Sequence, residues 1–202
     1  MTASPLVFLF VILLMGCSTQ NKKTSDFKIS FTKELSDQAQ DGRLLLLLAN
    51  NDKSEPRFQI NDGLNTQLVF GIDVDGMQPG QEIEVNAENA FGFPISSIKN
   101  IPAGDYYVQA LLNRYETFNL KTGHIVKLPP DQGEGQQWHS KPGNFYSSPV
   151  KVAITKQNET TSLTMENKIP PVIEPEDTKY VKHIKIQSKM LTEFWGKPMY
   201  LG

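Results

Sequence analysis

Residues 43–49 read Arg-Leu-Leu-Leu-Leu-Leu-Ala, a short apolar run with turn-forming residues on both sides. An apolar run of this length is typical of a strand that is buried on both faces, although leucine alone is equally compatible with a buried helix. The preceding segment has a clearer period, because Phe27, Ile29 and Phe31 alternate with polar residues. A period of two predicts a strand with one apolar face.

Further apolar or alternating runs predict strands at residues 67–72, 83–85, 106–112, 150–154 and 163–165. Clusters of glycine, proline, asparagine and aspartate separate these runs and supply the backbone conformations that turns require. Between residues 27 and 166, no stretch of about twelve or more residues carries helix-capping signals. We therefore predict an all-β domain over residues 27–166, with the architecture of an immunoglobulin-like antiparallel β-sandwich.

The segment 113–147 interrupts the pattern of strands and predicts one long loop, rich in glycine and proline. Loops of this length are uncommon in compact domains and are usually functional or mobile. The residues that we predict to form a binding loop are Asp131, Glu134, Gln136, Trp138, His139, Asn144 and Tyr146. Two interpretations stay open. Trp138 stacks on a carbohydrate or peptide in a groove, or Asp131 and Glu134 accept backbone N–H bonds that shape the loop.

The N-terminus has the features of an export signal. Residues 1–16 carry no charged side chain, and residues 6–15 are an unbroken apolar run. This run would rise only about 15 Å as a helix, against a hydrocarbon core of about 30 Å, so it predicts a signal-peptide h-region. The following Leu14-Met15-Gly16-Cys17 resembles the lipobox of bacterial lipoproteins, which implies cleavage before Cys17 and acylation of that cysteine. An ordinary cleaved signal and an uncleaved anchor are the alternatives.

From this N-terminus we predict a signal peptide at residues 1–16 and a polar tether at residues 17–26. The predicted location is the bacterial cell envelope, with a lipid anchor in the outer membrane and the chain facing the periplasm.

After residue 166 the sequence no longer shows the pattern of strands separated by turns. Residues 167–180 are rich in proline and polar side chains, which predicts a semi-rigid linker. Residues 183–186 predict another strand, and apolar side chains recur through residues 181–202. We expect this tail to be weakly ordered unless a partner covers it. Deletion of residues 168–202 is then expected to leave the thermal unfolding of the sandwich nearly unchanged.

Composition excludes several classes of function. The 202 residues include 20 Lys and Arg against 22 Asp and Glu, so the chain lacks the basic excess of a dedicated nucleic-acid binder. A single cysteine excludes a disulfide framework, a zinc cluster and a CxxC redox pair within one chain. Asp73 and Asp75 have the spacing that begins a calcium loop, but the next residues supply no further ligands. We interpret them as turn residues and predict no metal or cofactor.

Several motifs together resemble a known family: Asp-Gly-Arg-Leu at 41–44, Glu-Pro-Arg-Phe at 55–58, Phe-Gly-Ile-Asp-Val at 70–74, Ile-Pro-Ala-Gly-Asp-Tyr-Tyr-Val-Gln-Ala at 101–110, Asp-Gln-Gly-Glu-Gly-Gln at 131–136 and Pro-Gly-Asn-Phe-Tyr-Ser at 142–147. They are similar to the N-terminal domain of secreted bacterial proteins of the esterase type, in which a β-sandwich precedes an α/β-hydrolase domain. Residues 181–202 resemble the junction where that hydrolase domain starts. The resemblance implies that this tail is the beginning of a hydrolase domain.

Catalysis is not implied for this chain, because the Gly-x-Ser-x-Gly pattern of a nucleophile elbow does not occur in the sequence. The leading hypothesis is a non-catalytic, lipid-anchored accessory β-sandwich of an esterase-type hydrolase, which docks to a catalytic domain or an envelope partner. The first alternative is a stand-alone carbohydrate- or peptide-binding lipoprotein that uses the 113–147 loop. The second is a truncated esterase gene product.

Overall fold

The fold is known from a computed structural model, which describes residues 26–131, 137–155, 160–173 and 175–201. Strands make up most of the regular secondary structure in these ranges. The predicted signal peptide and Cys17 lie outside the described residues, as does the predicted tether apart from Asp26.

The strands and the helix are numbered in chain order: β1 (Asp26–Phe31), β2 (Gln40–Ala49), β3 (Leu68–Met77), β4 (Ile83–Val85), β5 (Phe91–Phe93), β6 (Gly104–Arg114), β7 (Glu116–Asn119), β8 (Ile125–Leu128), β9 (Phe145–Tyr146), β10 (Val150–Ile154), β11 (Thr160–Met165), β12 (Asn167–Lys168), β13 (Ile186–Gln187), α1 (Lys189–Trp195) and β14 (Tyr200–Leu201). Two short 3-10 turns, Pro56–Phe58 and Ile98–Asn100, lie in the connections.

Two sheets form the body of the protein. The smaller has the strand order β11-β1-β4, and the larger has the order β12-β9-β6-β2-β3-β5, with β10 also paired to β6. All pairs in the larger sheet are antiparallel, but β1 and β11 run parallel, with Phe27 opposite Thr161. The all-β prediction is confirmed. The parallel β1–β11 pair is an exception within this mainly antiparallel arrangement, and the long stretch of chain between the two strands allows it, since parallel neighbours need a long connection.

The core lies between the two sheets, where alternate residues of the strands meet. Phe27, Ile29 and Phe31 of β1 are fully buried, and so are Leu44, Leu46 and Leu48 of β2. The intervening Leu45 and Leu47 point to the other face of the larger sheet and pack there with Leu111. The five leucines therefore form a strand with two buried faces, as the apolar run predicts, and not a helix.

The predicted long loop 113–147 is only partly a loop. It contains the hairpin of β7 and β8 and also strand β9, which pairs with β6 and with β12. The larger sheet also extends into the predicted linker, because β12 covers Asn167–Lys168 and Ile169, which follows this strand, is buried. Ile169 exchanges backbone bonds with Gly143 and Asn144, so the sandwich ends later than residue 166.

The C-terminal tail differs from its prediction as a strand-like segment. Its strand is Ile186–Gln187 rather than 183–186, and it pairs with β14 across a short helix. Ser188 caps the start of α1 by accepting a bond from the Leu191 N–H, and Gly196 ends it in the left-handed conformation, with φ of 69°. In the part of the chain that the structure describes, no helix has the length and apolar character needed to cross a membrane.

Candidate functional site

A buried arginine organises the outer face of the larger sheet. The 3-10 turn Pro56–Phe58 places the Arg57 side chain there, with its guanidinium carbon 4.1 Å from the centre of the Tyr146 ring and 4.4 Å from that of Phe58. The same guanidinium donates to Glu55 Oε2 at 2.8 Å and to the carbonyl of His139 at 2.9 Å. Arg57 therefore joins two chain segments that are distant in sequence.

Gln109 of β6 anchors this ion pair to the sheet. Its fully buried amide donates to Glu55 Oε2 at 2.7 Å and to the Ser147 carbonyl at 2.9 Å, and it accepts a bond from the Arg57 N–H at 3.1 Å. Burial raises the pKa of Glu55, but the hydrogen bonds from Arg57 and Gln109 outweigh this effect and hold that pKa below its ordinary value. Glu55 is therefore a carboxylate at neutral pH.

Aromatic rings surround the arginine and complete what we call the Arg57 cluster, formed by Glu55, Arg57, Phe58, Gln109, Trp138, His139 and Tyr146. The His139 ring meets Phe58 edge-on at 5.6 Å and Trp138 edge-on at 5.6 Å. Burial, with a smaller contribution from Arg57, lowers the pKa of His139, which favours a neutral imidazole at pH 7. Phe58 is 47% exposed, so the cluster has an open aromatic side.

The predicted binding-loop residues separate into three groups. Trp138, His139 and Tyr146 come together in the Arg57 cluster. Asn144 instead lies fully buried, where it donates to the Trp138 carbonyl and accepts from the Arg114 N–H, and so it shapes the turn. Asp131 is exposed at the end of a described segment, while Glu134 and Gln136 lie outside the described residues.

Sequence reasoning missed the centre of this cluster. Arg57, Glu55 and Phe58 come from one tetrapeptide, Glu-Pro-Arg-Phe, and Gln109 lies on a strand predicted only from its apolar alternation. The usable signals were an acid two residues before an arginine and a polar residue within an otherwise apolar run. Neither signal reveals that the two segments meet.

The tail provides a second surface. Its helix packs on the β7–β8 hairpin, where Trp195 meets Phe118 edge-on at 5.5 Å and the Phe194 carbonyl accepts the Lys121 N–H at 2.9 Å. Lys197 also forms an ion pair with Glu116 of β7. Seven large apolar side chains of the tail are more than half exposed, and we call them the tail surface: Tyr180, Val181, Ile184, Ile186, Met190, Tyr200 and Leu201.

No catalytic array is visible among the residues that the structure describes. The Thr122 hydroxyl and His124 Nδ1 are 3.0 Å apart at the tip of the hairpin, and the acid–histidine pair of Asp177 and His183 lies elsewhere, 3.6 Å apart. No group of three or more potential metal ligands occurs in the described ranges. Asp73 is bonded to Arg43, and Asp75 to Lys127.

Comparison with known proteins identifies no family for this chain. No family model matches the chain, and no curated protein matches it. One solved structure, from Bacteroides ovatus ATCC 8483 and described as a "putative adhesin", is 14% identical with a TM-score of 0.31. The match covers 76% of this chain and 49% of that one, so this chain spans about half the length of the adhesin structure.

Proposed function

We propose that this chain is a non-catalytic accessory β-sandwich of the cell envelope, which is anchored through Cys17 and docks a hydrolase-type domain with its tail surface. The observation that supports the proposal is the exposure of seven large apolar side chains on one short segment, among them Met190 at 76% and Ile184 at 70%. Soluble proteins rarely expose contiguous apolar patches that have no partner.

The tail surface is attached to the body of the protein in a defined way. Trp195 on Phe118, the backbone bond to Lys121 and the pair of Lys197 with Glu116 hold α1 on the hairpin. These contacts hold α1 against the hairpin without fully burying any of its residues, and the residues of the tail surface stay exposed. Fully burying an aliphatic or aromatic side chain stabilises by about 1.5–3 kcal/mol, so a partner that covered several of them would bind with useful affinity.

The occupant that we propose is an α/β-hydrolase domain. This choice rests on the resemblance of residues 181–202 to the junction between sandwich and hydrolase in secreted esterase-type proteins. In that arrangement the sandwich supplies anchoring and placement, while the catalytic groups belong to the partner. The chain is then expected to have no esterase activity of its own.

The experiment is co-purification with an α/β-hydrolase encoded in a neighbouring reading frame. We expect a one-to-one complex in analytical ultracentrifugation, and its loss in the triple variant Ile184→Ser, Ile186→Ser, Met190→Ser. The matched control is Leu64→Ser, Val172→Ser, Ile173→Ser, which removes three apolar side chains that are also more than half exposed but lie outside the tail surface. The proposal is overturned if no complex forms, or if both triple variants weaken it equally.

Anchoring is tested separately with Cys17→Ala. The chain should move from the membrane fraction to soluble or unprocessed forms, because the variant lacks the thiol that lipidation requires. Unchanged partition with normal cleavage would contradict the anchor and leave the docking experiment unaffected.

A second candidate function, carbohydrate or peptide binding, is favoured by the open side of the Arg57 cluster. Phe58, Trp138 and His139 offer aromatic surfaces around a fixed positive charge, and such surfaces stack on sugar rings and peptide side chains. In a Trp195→Phe background, the fluorescence of Trp138 should change on titration with cell-wall oligosaccharides or peptides, and Phe58→Ala should abolish the change. A flat titration with both ligand types would exclude this function.

A further inference from the structure

A cleft at one end of the larger sheet shares no lining residue with the Arg57 cluster or the tail surface. It has a volume of about 430 Å³ and lies between the end of β6, the turn at residues 141–143 and the segment 168–171. Its walls include four prolines, and its charged lining residues are Arg114, Glu116, Lys141 and Lys168. Small-molecule sites commonly have volumes of about 300–1,000 Å³ and combine apolar walls with a few polar groups.

Arg114 is the central charged group of this cleft. Its guanidinium donates from Nε to Gln40 Oε1 at 2.5 Å and from Nη1 to the Gly143 carbonyl at 3.0 Å. Both acceptors are neutral, and among the described residues no carboxylate forms an ion pair with Arg114. Burial lowers the pKa of Arg114, an effect that nearby Glu116 opposes, but an arginine stays charged at neutral pH. The guanidinium is thus fixed in position and keeps donor capacity in the cleft.

The other charges strengthen the positive character of the cleft. Lys168 is exposed, and its Nζ lies 5.9 Å from the centre of the same Phe145 ring that Arg114 approaches to 4.8 Å. Lys141 is buried behind them and bonds to the Arg114 carbonyl and to Asn144. Among the lining residues that the structure describes, Glu116 is the single acid, and its carboxylate forms an ion pair with Lys197.

We infer that this cleft binds a small acidic ligand, of mono- to disaccharide size, through a carboxylate or sulfate group. The anionic group would pair with Arg114 and Lys168, since a guanidinium matches the planar geometry of two oxygen acceptors and a lysine adds a point charge. The body of the ligand would lie against Pro130, Pro142 and the Pro170-Pro171 pair. This inference does not depend on docking through the tail surface.

The test is isothermal titration calorimetry of the chain with three probes that share one ring: glucose, glucuronate and glucose 6-sulfate. We expect heat from at least one anionic probe and none from glucose. The anionic probe that binds identifies the carboxylate or the sulfate as the preferred group. Affinity should fall with added salt, because Lys168 is exposed and salt screens its attraction to the anionic group.

Two variants identify the site. Arg114→Gln should abolish binding, and Lys168→Gln, an exposed substitution that leaves the sheet bonds intact, should weaken it about fivefold. The matched control is Lys151→Gln, which removes one exposed lysine charge from strand β10. The inference is overturned if neither anionic probe binds, if glucose binds as well as they do, or if Lys168→Gln and Lys151→Gln have equal effects.

Discussion

The sandwich and the C-terminal tail use the same kinds of apolar residue in opposite ways. In the sandwich, Phe27, Leu46 and Phe70 are completely buried between two sheets. In the tail, Ile184 and Met190 are 70% and 76% exposed, and one tryptophan makes the main apolar contact with the rest of the chain. Because hydrophobic stabilisation follows the apolar area removed from water, the free energy of folding resides in the sandwich.

This difference teaches that apolar content alone does not identify a core. Residues 44–49 are buried because strands β3 and β6 flank β2 and both of its faces are covered. The tail has a two-stranded ladder and seven residues of helix, too little structure to enclose its own side chains. Its apolar side chains therefore stay exposed at the surface, where a partner could cover them.

The largest expected difference between the two regions is in single truncations to alanine. Leu46→Ala should reduce the free energy of unfolding by about 2–5 kcal/mol, since it removes a fully buried side chain and leaves a cavity. Met190→Ala should change it by less than about 0.5 kcal/mol, as exposed substitutions do. Urea denaturation followed by circular dichroism measures both. Similar costs for the two variants would show that the tail belongs to the core.

Two arginine–carboxylate pairs allow a second comparison between a buried and an exposed contact: Arg57 with Glu55, and Arg43 with Asp73. Arg57→Met should cost about 3 kcal/mol, because it leaves Glu55 partly buried without its charge partner. Arg43→Met breaks the pair with Asp73, whose members are 40% and 61% exposed, and should cost less than about 1 kcal/mol. Thermal unfolding at neutral pH measures the loss of stability in both variants. Equal costs would mean that the Arg57 pair is an ordinary surface contact.

The pH dependence of these variants follows from the lowered pKa of Glu55. A carboxylate whose pKa is lower in the folded state stabilises fully above its unfolded pKa, about 4.3, and loses that contribution as the pH falls through the folded value. The difference between wild type and Arg57→Met should therefore shrink as the pH falls from 7 to 3. A constant difference across that range would contradict the role of Glu55 as the partner of Arg57.

The sequence predicted the individual strands better than the way in which they pair and the side chains that meet across them. The leucine run and the alternation of Phe27, Ile29 and Phe31 identify β2 and β1, because burial of a strand face leaves a period of two. The parallel pairing of β1 with β11 and the meeting of Arg57 with Gln109 depend on contacts across long sequence separations, which no local pattern encodes. Helix α1 was missed although Ser188 and Gly196 are its capping signals, since seven residues hold too few turns to show a helical period.

The boundary between the two regions gives a fourth prediction. Deletion of residues 175–202 should leave the unfolding temperature of the sandwich nearly unchanged. Deletion of residues 168–202 should destabilise it by about 2 kcal/mol, because it also removes the buried Ile169 and part of the β12–β9 pairing. This prediction differs from the expectation from sequence, in which deletion of residues 168–202 leaves thermal unfolding nearly unchanged. Differential scanning calorimetry measures the unfolding temperature of both deletion variants. Equal temperatures would show that Ile169 does not contribute to the stability of the sandwich.

The smallest expected effect concerns how the tail is attached. Gly196 has φ of 69°, and a Cβ at this position would lie 2.6 Å from the Asn119 carbonyl oxygen of the hairpin, so Gly196→Ala should push α1 away from β7. In a Trp138→Phe background, the emission of Trp195 should shift to longer wavelength as it leaves Phe118, while global unfolding changes by about 1 kcal/mol or less. Gly123→Ala is the control, since its φ of 87° carries a similar backbone penalty with open space around the new methyl group. If both variants shift the emission equally, backbone strain rather than the contact with Asn119 controls the attachment of the tail.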